Sequence, residues 1–311
     1  MTNIKEVVIK DEWFKPKAKN LEKAELVVRP SLSYWADAWR KLKKNKLAML
    51  GMFFLILLAI MAIFVPIFSP YLVTATDYPS QNKAPSMTHW FGTDEAGRDV
   101  FTRTWYGARI SLFVGLMAAL IDFFIGIIYG GISGYKGGKV DLIMMRIIEV
   151  LYGLPHLLVV ILLMVVMGSS LTTIIVALTI TGWVGMARIV RGQVLQLKNY
   201  EFVTASKSFG AKTSRIIRKN LLPNTMGPII VQMTLTVPSA IFAEAFLSFL
   251  GLGISAPFAS WGVMANDALP VILSGHWWRL FFPALFISLT MFAFNVLGDG
   301  LQDALDPKLR G

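Results

Sequence analysis

The 311-residue sequence has no cysteine, only three histidines and few charged residues, which make up 16% of it. Without cysteine, disulfide bridges and thiolate metal sites are excluded. The string G-x-x-x-x-G-K-[ST] is also missing, so no nucleotide-binding loop is expected. The acidic residues that follow His89 lack regular metal-ligand spacing, which favours a polar loop over a metal site. The sequence therefore predicts a chain with no metal, no cofactor of its own and no catalytic residues.

Apolar residues are abundant: they make up 55% of the chain, and the mean hydropathy is +0.59. This composition predicts an integral membrane protein. Residues 47–68 include 22 positions without a charge, about 33 Å as a helix, against a hydrocarbon core of roughly 30 Å. The sequence predicts an all-α membrane protein with six transmembrane helices, at about 47–69, 109–133, 142–167, 170–189, 226–250 and 280–300.

Positive charge is distributed unevenly between the connecting segments. If the amino terminus is inside, the inner segments hold 24 of the 30 Lys and Arg residues and the two outer loops hold 4. The inner segments are 1–46, 134–141, 188–225 and 301–311, and the outer loops are 70–108 and 251–279. The positive-inside rule then places both termini in the cytoplasm. Because the net charge of +11 follows membrane topology, no nucleic-acid partner is expected.

Glycine and proline occur inside several predicted spans. Gly126, Gly130 and Gly134 recur every four residues in the second span, which favours close approach of another helix. The alternative is that transmembrane helices are simply rich in glycine. The prolines free backbone groups and permit bending, and they are Pro155, Pro228 and Pro238.

Five ionisable residues in or near the spans need a physical explanation, because a charge in a bilayer is costly. Arg146 and Glu149 are three positions apart, which predicts a structural ion pair on one helix face. Asp122, Glu244 and Asp299 have no partner nearby in sequence. Each is a candidate for lining an aqueous pathway or for pairing with a positive group on another helix or subunit.

A basic stretch between two apolar runs, residues 199–224, has the pattern of a helix, a glycine and a second helix. Phe202, Ala205, Ser206 and Phe209 share one face of a short helix, and Gly210 follows as a flexible break. Such an element at the inner membrane face suits docking with a soluble protein. The alternative is a solvated cytoplasmic loop.

The same stretch resembles the coupling loop of ABC-importer permeases, whose pattern is E-A-A, three residues, G, nine residues, I-x-L-P. The positions of that pattern are occupied here by Thr204, Ala205, Ser206, Gly210, Asn220, Leu222 and Pro223. Thr204 stands where the pattern usually has Glu, and Asn220 stands where it has Ile. A contact at Thr204 is therefore expected to be a hydroxyl contact and not an ionic one.

A second string resembles the outer-loop motif G-T-D-x-x-G-R-D of the C-type permease subunits of oligopeptide and dipeptide ABC importers. It comprises Gly92, Thr93, Asp94, Gly97, Arg98 and Asp99. Segments starting at Ala36, Phe246 and Phe294 are also similar to that family, so the resemblance covers about residues 36–310.

The resemblance implies the type I ABC importer permease fold and an import function for oligopeptides or dipeptides. It implies a second homologous permease subunit, two cytoplasmic ATPases that bind ATP and Mg²⁺, and an extracellular or periplasmic peptide-binding protein. The chain would lie among lipid in a prokaryotic plasma membrane. It would couple ATP hydrolysis by its partners to alternating access without being an enzyme itself.

The expected organisation has three parts. Residues 1–46 form a cytoplasmic tail with an interfacial amphipathic helix, 47–108 the first transmembrane helix and outer loop, and 109–311 a five-helix permease core. The coupling loop of that core is 190–225.

Three alternatives remain open from the sequence. The same fold could import nickel chelates or opines, and a gradient-driven transporter is also compatible with a multi-span chain. An intramembrane protease is suggested by the G-x-S-G string that contains Ser133. It would need His156 at the same depth as Ser133, and the predicted spans place the two far apart.

Overall fold

The computed structural model describes residues 33–305, which are helical apart from short connections. No β-strand occurs within this range, where an isolated bridge joins Thr93 and Asp99. The chain divides into two units, Met1–Asp37 and Ala38–Gly311. Of the first unit, the structure describes Ser33 and the first residues of helix α1.

Ten helices of at least eight residues are found in the described part of the chain. They are α1 (Tyr34–Lys44), α2 (Lys46–Phe68), α3 (Val100–Lys136), α4 (Gly138–Gly153), α5 (His156–Met167), α6 (Leu171–Leu197), α7 (Glu201–Ser208), α8 (Thr213–Leu252), α9 (Trp261–Ala268) and α10 (Trp278–Leu305). Helix α8 contains π-helical turns at Ile216–Leu221 and Ser248–Leu252. Short 3₁₀ turns lie at Tyr78–Ser80 and Leu269–Ser274.

Five helices are long and apolar enough to cross a membrane: α2, α3, α6, α8 and α10. Helices α4 and α5 pass the same test together and count as a sixth span if the pair is taken as one broken span. The prediction of an all-α, multi-span membrane protein is therefore confirmed, with five or six spans where six were predicted. Several helices extend beyond the predicted spans. Helix α3 begins at Val100 and not at 109, α6 ends at Leu197 and not at 189, and α8 begins at Thr213 and not at 226.

The third predicted span is not straight, since α4 and α5 meet at an angle of 78°. Pro155 follows α4 and has no backbone N–H to continue the helical ladder. A proline also disfavours helical geometry in the residue before it, and Leu154 is extended, with φ −78° and ψ 130°. Pro228 and Pro238 lie inside the continuous helix α8.

Helices α3 and α6 pack against each other through the three glycines that recur every four residues. A Cβ atom at Gly126 would lie 2.4 Å from Cγ of Met186, and one at Gly130 would lie 2.3 Å from the carbonyl oxygen of Ala187. No side chain fits at these separations, so the predicted close approach is confirmed.

Helix α2 packs along α10 and α3 while presenting much of its surface outward. Asn45 begins the helix, because its side chain accepts a hydrogen bond from the backbone N–H of Ala48. Ala48, Leu42 of α1 and Ala304 of α10 form a small buried cluster. The predicted interfacial amphipathic helix corresponds to α1, whose buried residues are Ala38 and Leu42.

The predicted division between residues 108 and 109 falls inside the continuous helix α3. The three-part organisation therefore has no structural break at that point, and its remaining boundaries stay a prediction. We call the end of the bundle that carries residues 70–99 the outer end and the end that carries α7 the inner end, following the predicted orientation.

Candidate functional site

The short helix α7 is held to the bundle by one buried side chain, that of Val203, which has no exposed surface. Val203 packs with Val190 and Val194 near the inner end of α6 and with Ile216 and Leu221 at the start of α8. Apolar residues at the inner ends of α6 and α8 thus form the surface against which α7 packs. The sequence pattern missed Val203, because the predicted helix face was built from its neighbours.

The predicted docking face of α7 is largely exposed. Phe209 has 90% of its surface accessible, and Phe202 and Ala205 are also exposed. Thr204 is exposed too, and its hydroxyl donates only to the carbonyl oxygen of Tyr200 one turn earlier. An aromatic ring displayed in this way at a polar end of the molecule is costly unless another surface covers it.

Gly210 makes the turn between α7 and the next helix with a φ of +73°, a value that side chains other than glycine rarely adopt. A cross-link then joins the two helices, because Nδ2 of Asn220 donates to Oγ of Ser206 at 2.8 Å. Asn220 is the residue that departs from the usual Ile of the coupling pattern. Ser206 is thereby turned away from the docking face and towards α8.

Leu222 and Pro223 complete the coupling pattern in the first turns of α8. Leu222 packs against the apolar cluster that holds Val203, whereas Pro223 is exposed. A groove of about 580 Å³ lies beside α7 and is lined by Ser206, Phe209, Gly210, Ala211, Lys212, Arg215 and Asn220. The structure therefore brings most of the predicted coupling residues to one exposed surface.

An ion pair that the sequence did not predict joins α6 to α4. Arg191 of α6 donates through Nε and Nη2 to the two carboxylate oxygens of Asp141 in α4, each at 2.6 Å. The hydroxyl of Ser133 donates to the same carboxylate. The two charged residues are 50 positions apart in sequence, so no local spacing signals the pair.

This contact also removes the arrangement that a protease would need. Ser133 is bonded to Asp141, while Nδ1 of His156 lies at hydrogen-bond distance from the hydroxyl of Thr181. The serine and the histidine thus have separate partners on different helices.

The outer-loop motif forms a closed set of contacts around Asp94. One carboxylate oxygen of Asp94 accepts from the backbone N–H groups of Ala96 and Arg98, and the other accepts from Nε of Arg98 at 2.6 Å. Nε of Arg103 lies 3.3 Å from the second oxygen. Asp94 is therefore paired with two arginines in a largely buried position.

The other residues of the motif fix the loop to α3 and α10. Asp99 begins α3 by accepting from the backbone N–H and the hydroxyl of Thr102, both at 2.8 Å. The carbonyl of Thr93 accepts from the indole N–H of Trp278, and Gly92 lies against the same ring. At Gly97, with φ +71°, a Cβ atom would meet the carbonyl oxygen of Asp77 at 1.8 Å. The motif is therefore built into the architecture of the outer end.

The candidate pathway residues have different environments. Glu244 has no exposed surface and accepts hydrogen bonds from the hydroxyls of Ser111, Ser248 and Ser260 on three helical segments or caps. It is closed off from solvent, and no cation of residues 33–305 forms an ion pair with it. The serines satisfy its oxygens, and they come from positions up to 133 residues away.

Asp122 is buried where α3 meets α6, with its carboxylate facing Gly182. Its Oδ1 has no hydrogen-bond partner among residues 33–305. Asp299 lies on an exposed surface of α10 near the inner end. Arg146 and Glu149 are 2.7 Å apart on an exposed face of α4. The structure does not bring the three candidate carboxylates together.

Comparison with known proteins identifies the chain. Residues 123–311 match the family described as binding-protein-dependent transport system inner membrane component. Residues 33–85 match the N-terminal TM domain of oligopeptide transport permease C.

Several curated relatives are similar over nearly their whole length. The dipeptide transport system permease protein DppC of Bacillus subtilis (strain 168) is 77% identical over 302 residues, 97% of this chain and 94% of the relative. The oligopeptide transport system permease protein OppC of the same organism is 59% identical, over 97% of this chain and 99% of the relative. The glutathione transport system permease protein GsiD of Escherichia coli O6:K15:H31 (strain 536 / UPEC) is 41% identical, over 89% of this chain and 91% of the relative.

Among solved structures, a chain of the inward-facing MetNI methionine ABC transporter matches with a TM-score of 0.53 and 18% identity. The match covers 67% of this chain and 96% of that chain, and it supports the type I importer permease fold. Together with the five or six apolar spans, the family places the protein in the bacterial inner membrane as a multi-pass component. The chain belongs to the binding-protein-dependent inner-membrane permeases of ABC importers, as a C subunit of the oligopeptide and dipeptide type.

Proposed function

We propose that this chain carries dipeptides or oligopeptides into the cytoplasm and that α7 connects it to partner ATPases. The observation that carries the proposal is the exposed face of α7, with Phe209, the residue that caps its carboxyl end, 90% accessible and the helix itself anchored by Val203. A rigidly seated helix with an uncovered aromatic residue is suited to insertion into a groove on another protein.

ATP and Mg²⁺ would bind to two cytoplasmic ATPase subunits, where hydrolysis takes place, and this chain would contribute no catalytic residue. Movement of the ATPases would be transmitted through α7 to the ends of α6 and α8, because Val203 is packed against both. For this to drive transport, the chain must have two arrangements that nucleotide-bound ATPases favour differently.

A second homologous permease would complete the pathway, and a peptide-binding protein outside the membrane would deliver cargo to the outer end. Both termini and α7 would then face the cytoplasm, in line with the excess of Lys and Arg in the inner segments. Membrane lipid would cover the exposed apolar residues of α2, such as Ile67 and Phe68.

Peptide cargo is supported by the names and high identity of the relatives from dipeptide and oligopeptide systems. The glutathione relative, at 41% identity, shows that cargo differs among proteins similar to this one. Nickel chelates and opines remain alternatives of the same fold, whereas the family match disfavours a gradient-driven transporter.

A charge on the docking face tests the proposal. We expect Ala205→Glu to reduce dialanine uptake by the reconstituted transporter at least about tenfold, equivalent to about 1.4 kcal/mol of coupling, because an added carboxylate opposes burial in a partner groove. The matched control is Ala205→Ser, which adds a small polar group at the same exposed position and should retain uptake. Both variants should insert into the membrane normally, since Ala205 is not part of the surface through which α7 packs.

A second variant tests the turn. Gly210→Pro should also separate ATP hydrolysis from uptake, because proline fixes φ near −65° and the turn requires +73°. Wild-type uptake of dialanine in both Ala205→Glu and Gly210→Pro would contradict the coupling role. Absence of dialanine uptake by the intact wild-type transporter would contradict the peptide cargo.

A further inference from the structure

A polar cleft of about 370 Å³ opens at the outer end, between the outer loop and the segment that joins α8 to α9. Arg98 and Glu95 form one wall, and Asp267 of α9 forms another. Arg103 also lines the cleft, but its Nη1 donates to the carbonyl oxygens of Val73 and Pro257. The rest of the boundary comprises Phe258, Val263, Asn266 and mostly backbone and small side chains from Gly251 to Pro257. A volume of this size is within the range of small-ligand sites.

The cleft presents a guanidinium group with unused hydrogen-bond donors. Nε of Arg98 donates to Asp94, but the terminal nitrogens of Arg98 form no hydrogen bond with any residue of the described chain 33–305. The Arg98 side chain is only 11% exposed, and its ion pair with Asp94 fixes its position. A fixed guanidinium with free N–H groups is suited to binding a carboxylate.

The cleft also presents the carboxylate of Asp267. The side chain of Asp267 accepts no hydrogen bond and lies within no ion pair formed by residues 33–305, although its backbone carbonyl accepts from Arg279. Burial raises the pKa of Asp267, and the nearby Glu95 raises it further, while Arg103, Arg98 and Arg279 lower it. Glu95 itself is paired with Arg279, so Asp267 is the acidic group left available to a ligand.

We propose that this cleft is a subsite for the zwitterionic backbone of a short peptide, with Asp267 receiving the α-ammonium group and Arg98 the carboxylate. The inference rests on the proposed peptide cargo and adds a position on this chain where cargo binds after release at the outer end. Asp267 gains a charged partner that residues 33–305 do not supply, and the terminal nitrogens of Arg98, whose Nε already pairs with Asp94, gain an acceptor. A ligand without a free amine gains nothing from Asp267.

The absence of cysteine allows a direct test with the purified transporter complex and no binding protein. Ser255 is exposed and lies at the cleft, so Ser255→Cys introduces one thiol there. We expect dialanine at about twice its dissociation constant to slow maleimide labelling of this chain about threefold, by simple occupancy. N-acetyl-dialanine at the same concentration should leave the rate unchanged.

Three variants make the test specific. Met87→Cys places a thiol on the outer loop at a position that is 95% exposed and outside the cleft, so dialanine should not protect it. Adding Asp267→Asn to Ser255→Cys should abolish protection, and adding Asp267→Glu should restore at least part of it. A merely structural role of Asp267 would not make protection depend on the ligand's free amine.

Protection by both ligands, or by neither, in a complex whose wild-type form takes up dialanine would overturn the subsite while leaving the proposed function intact. Persistence of dialanine protection in Asp267→Asn would overturn the role of this residue. Loss of dialanine uptake by the wild-type complex would instead contradict the peptide cargo on which the inference rests.

Discussion

At the outer end of the bundle the polar motif residues are bonded within the folded chain, to one another and to neighbouring segments, whereas at the inner end the residues of α7 face outward. Asp94 is engaged by two arginines and two backbone amides, and Asp99 by the first turn of α3. On α7, in contrast, only Val203 is buried.

The difference shows that two equally recognisable sequence strings have different physical roles. A motif whose polar groups are satisfied internally stabilises a loop, and within residues 33–305 little more than the terminal nitrogens of Arg98 remains for a ligand. A motif whose apolar and small residues are exposed contributes little to folding and keeps a surface available. The following predictions test this contrast by comparing matched substitutions at the two ends.

The largest effect is expected at the buried acid of the outer end. Asp94→Asn keeps the side-chain size but leaves Arg98 and Arg103 without their carboxylate, and removing one partner of a buried pair costs about 3–5 kcal/mol. Thermal unfolding of the purified chain should report a corresponding loss of stability. A loss below about 1 kcal/mol would mean that solvent compensates the two arginines.

Two glycines with nearly the same φ separate packing from backbone strain. Gly97→Ala adds a Cβ that meets backbone at 1.8 Å, whereas Gly210→Ala adds one with no atom within 4 Å. Both alanines carry about 1–2 kcal/mol of left-handed strain, so the excess loss in Gly97→Ala measures the clash. We expect Gly97→Ala to be clearly the less stable variant in the same unfolding assay; equal losses would contradict the packed arrangement of the loop.

A smaller and local effect is expected at the inner end. Asn220→Ala removes the hydrogen bond to Ser206, which contributes about 1 kcal/mol. Amide hydrogen exchange in α7 should accelerate, while exchange in the outer loop should not change. In a double-mutant cycle with Ser206→Ala, the two substitutions should be less than additive; full additivity would show that the bond does not stabilise α7.

The smallest effect is expected at the exposed ion pair of α4. Glu149→Gln makes the same acid-to-amide change as Asp94→Asn, but Arg146 and Glu149 are 75% and 51% exposed. Where such a face meets water, the pair contributes about 0–1 kcal/mol, because solvent screens the charges. Unfolding should therefore be nearly unchanged, and a loss comparable to that of Asp94→Asn would contradict the difference between buried and exposed pairs.

Much of the fold could be predicted because its signals are local. The apolar runs that became α2 and α10, and the spacing of Phe202 and Phe209 around α7, each lie within one segment. The fold class was confirmed by the family and the structure. The partners of Asp141 and Glu244 could not be predicted, since each depends on helices that meet only after folding.

The three prolines also show that contacts between remote segments cannot be predicted from local sequence. Each is a break in the hydrogen-bond ladder when judged from sequence, yet Pro228 and Pro238 lie inside the continuous helix α8, whereas Pro155 lies at the 78° bend between α4 and α5. Helix α8 packs against α3, α6 and α10, whereas α5 packs against α6. Contacts along both flanks of α8 favour a continuous path through its prolines, and such contacts leave no trace in the residues next to a proline.

The sequence alone determined the class of the protein, its membrane spans and the position of the exposed helix for which we propose a coupling role, because hydrophobic length, charge bias and helical spacing are properties of neighbouring residues. Tertiary structure decided which polar residues are consumed in the architecture and which remain available. It turned the outer-loop motif inward, left the Asp267 side chain without a hydrogen-bond partner among residues 33–305 and placed Asn220 against Ser206. These outcomes depend on distances between segments that are remote in sequence, and only the packed helices set those distances.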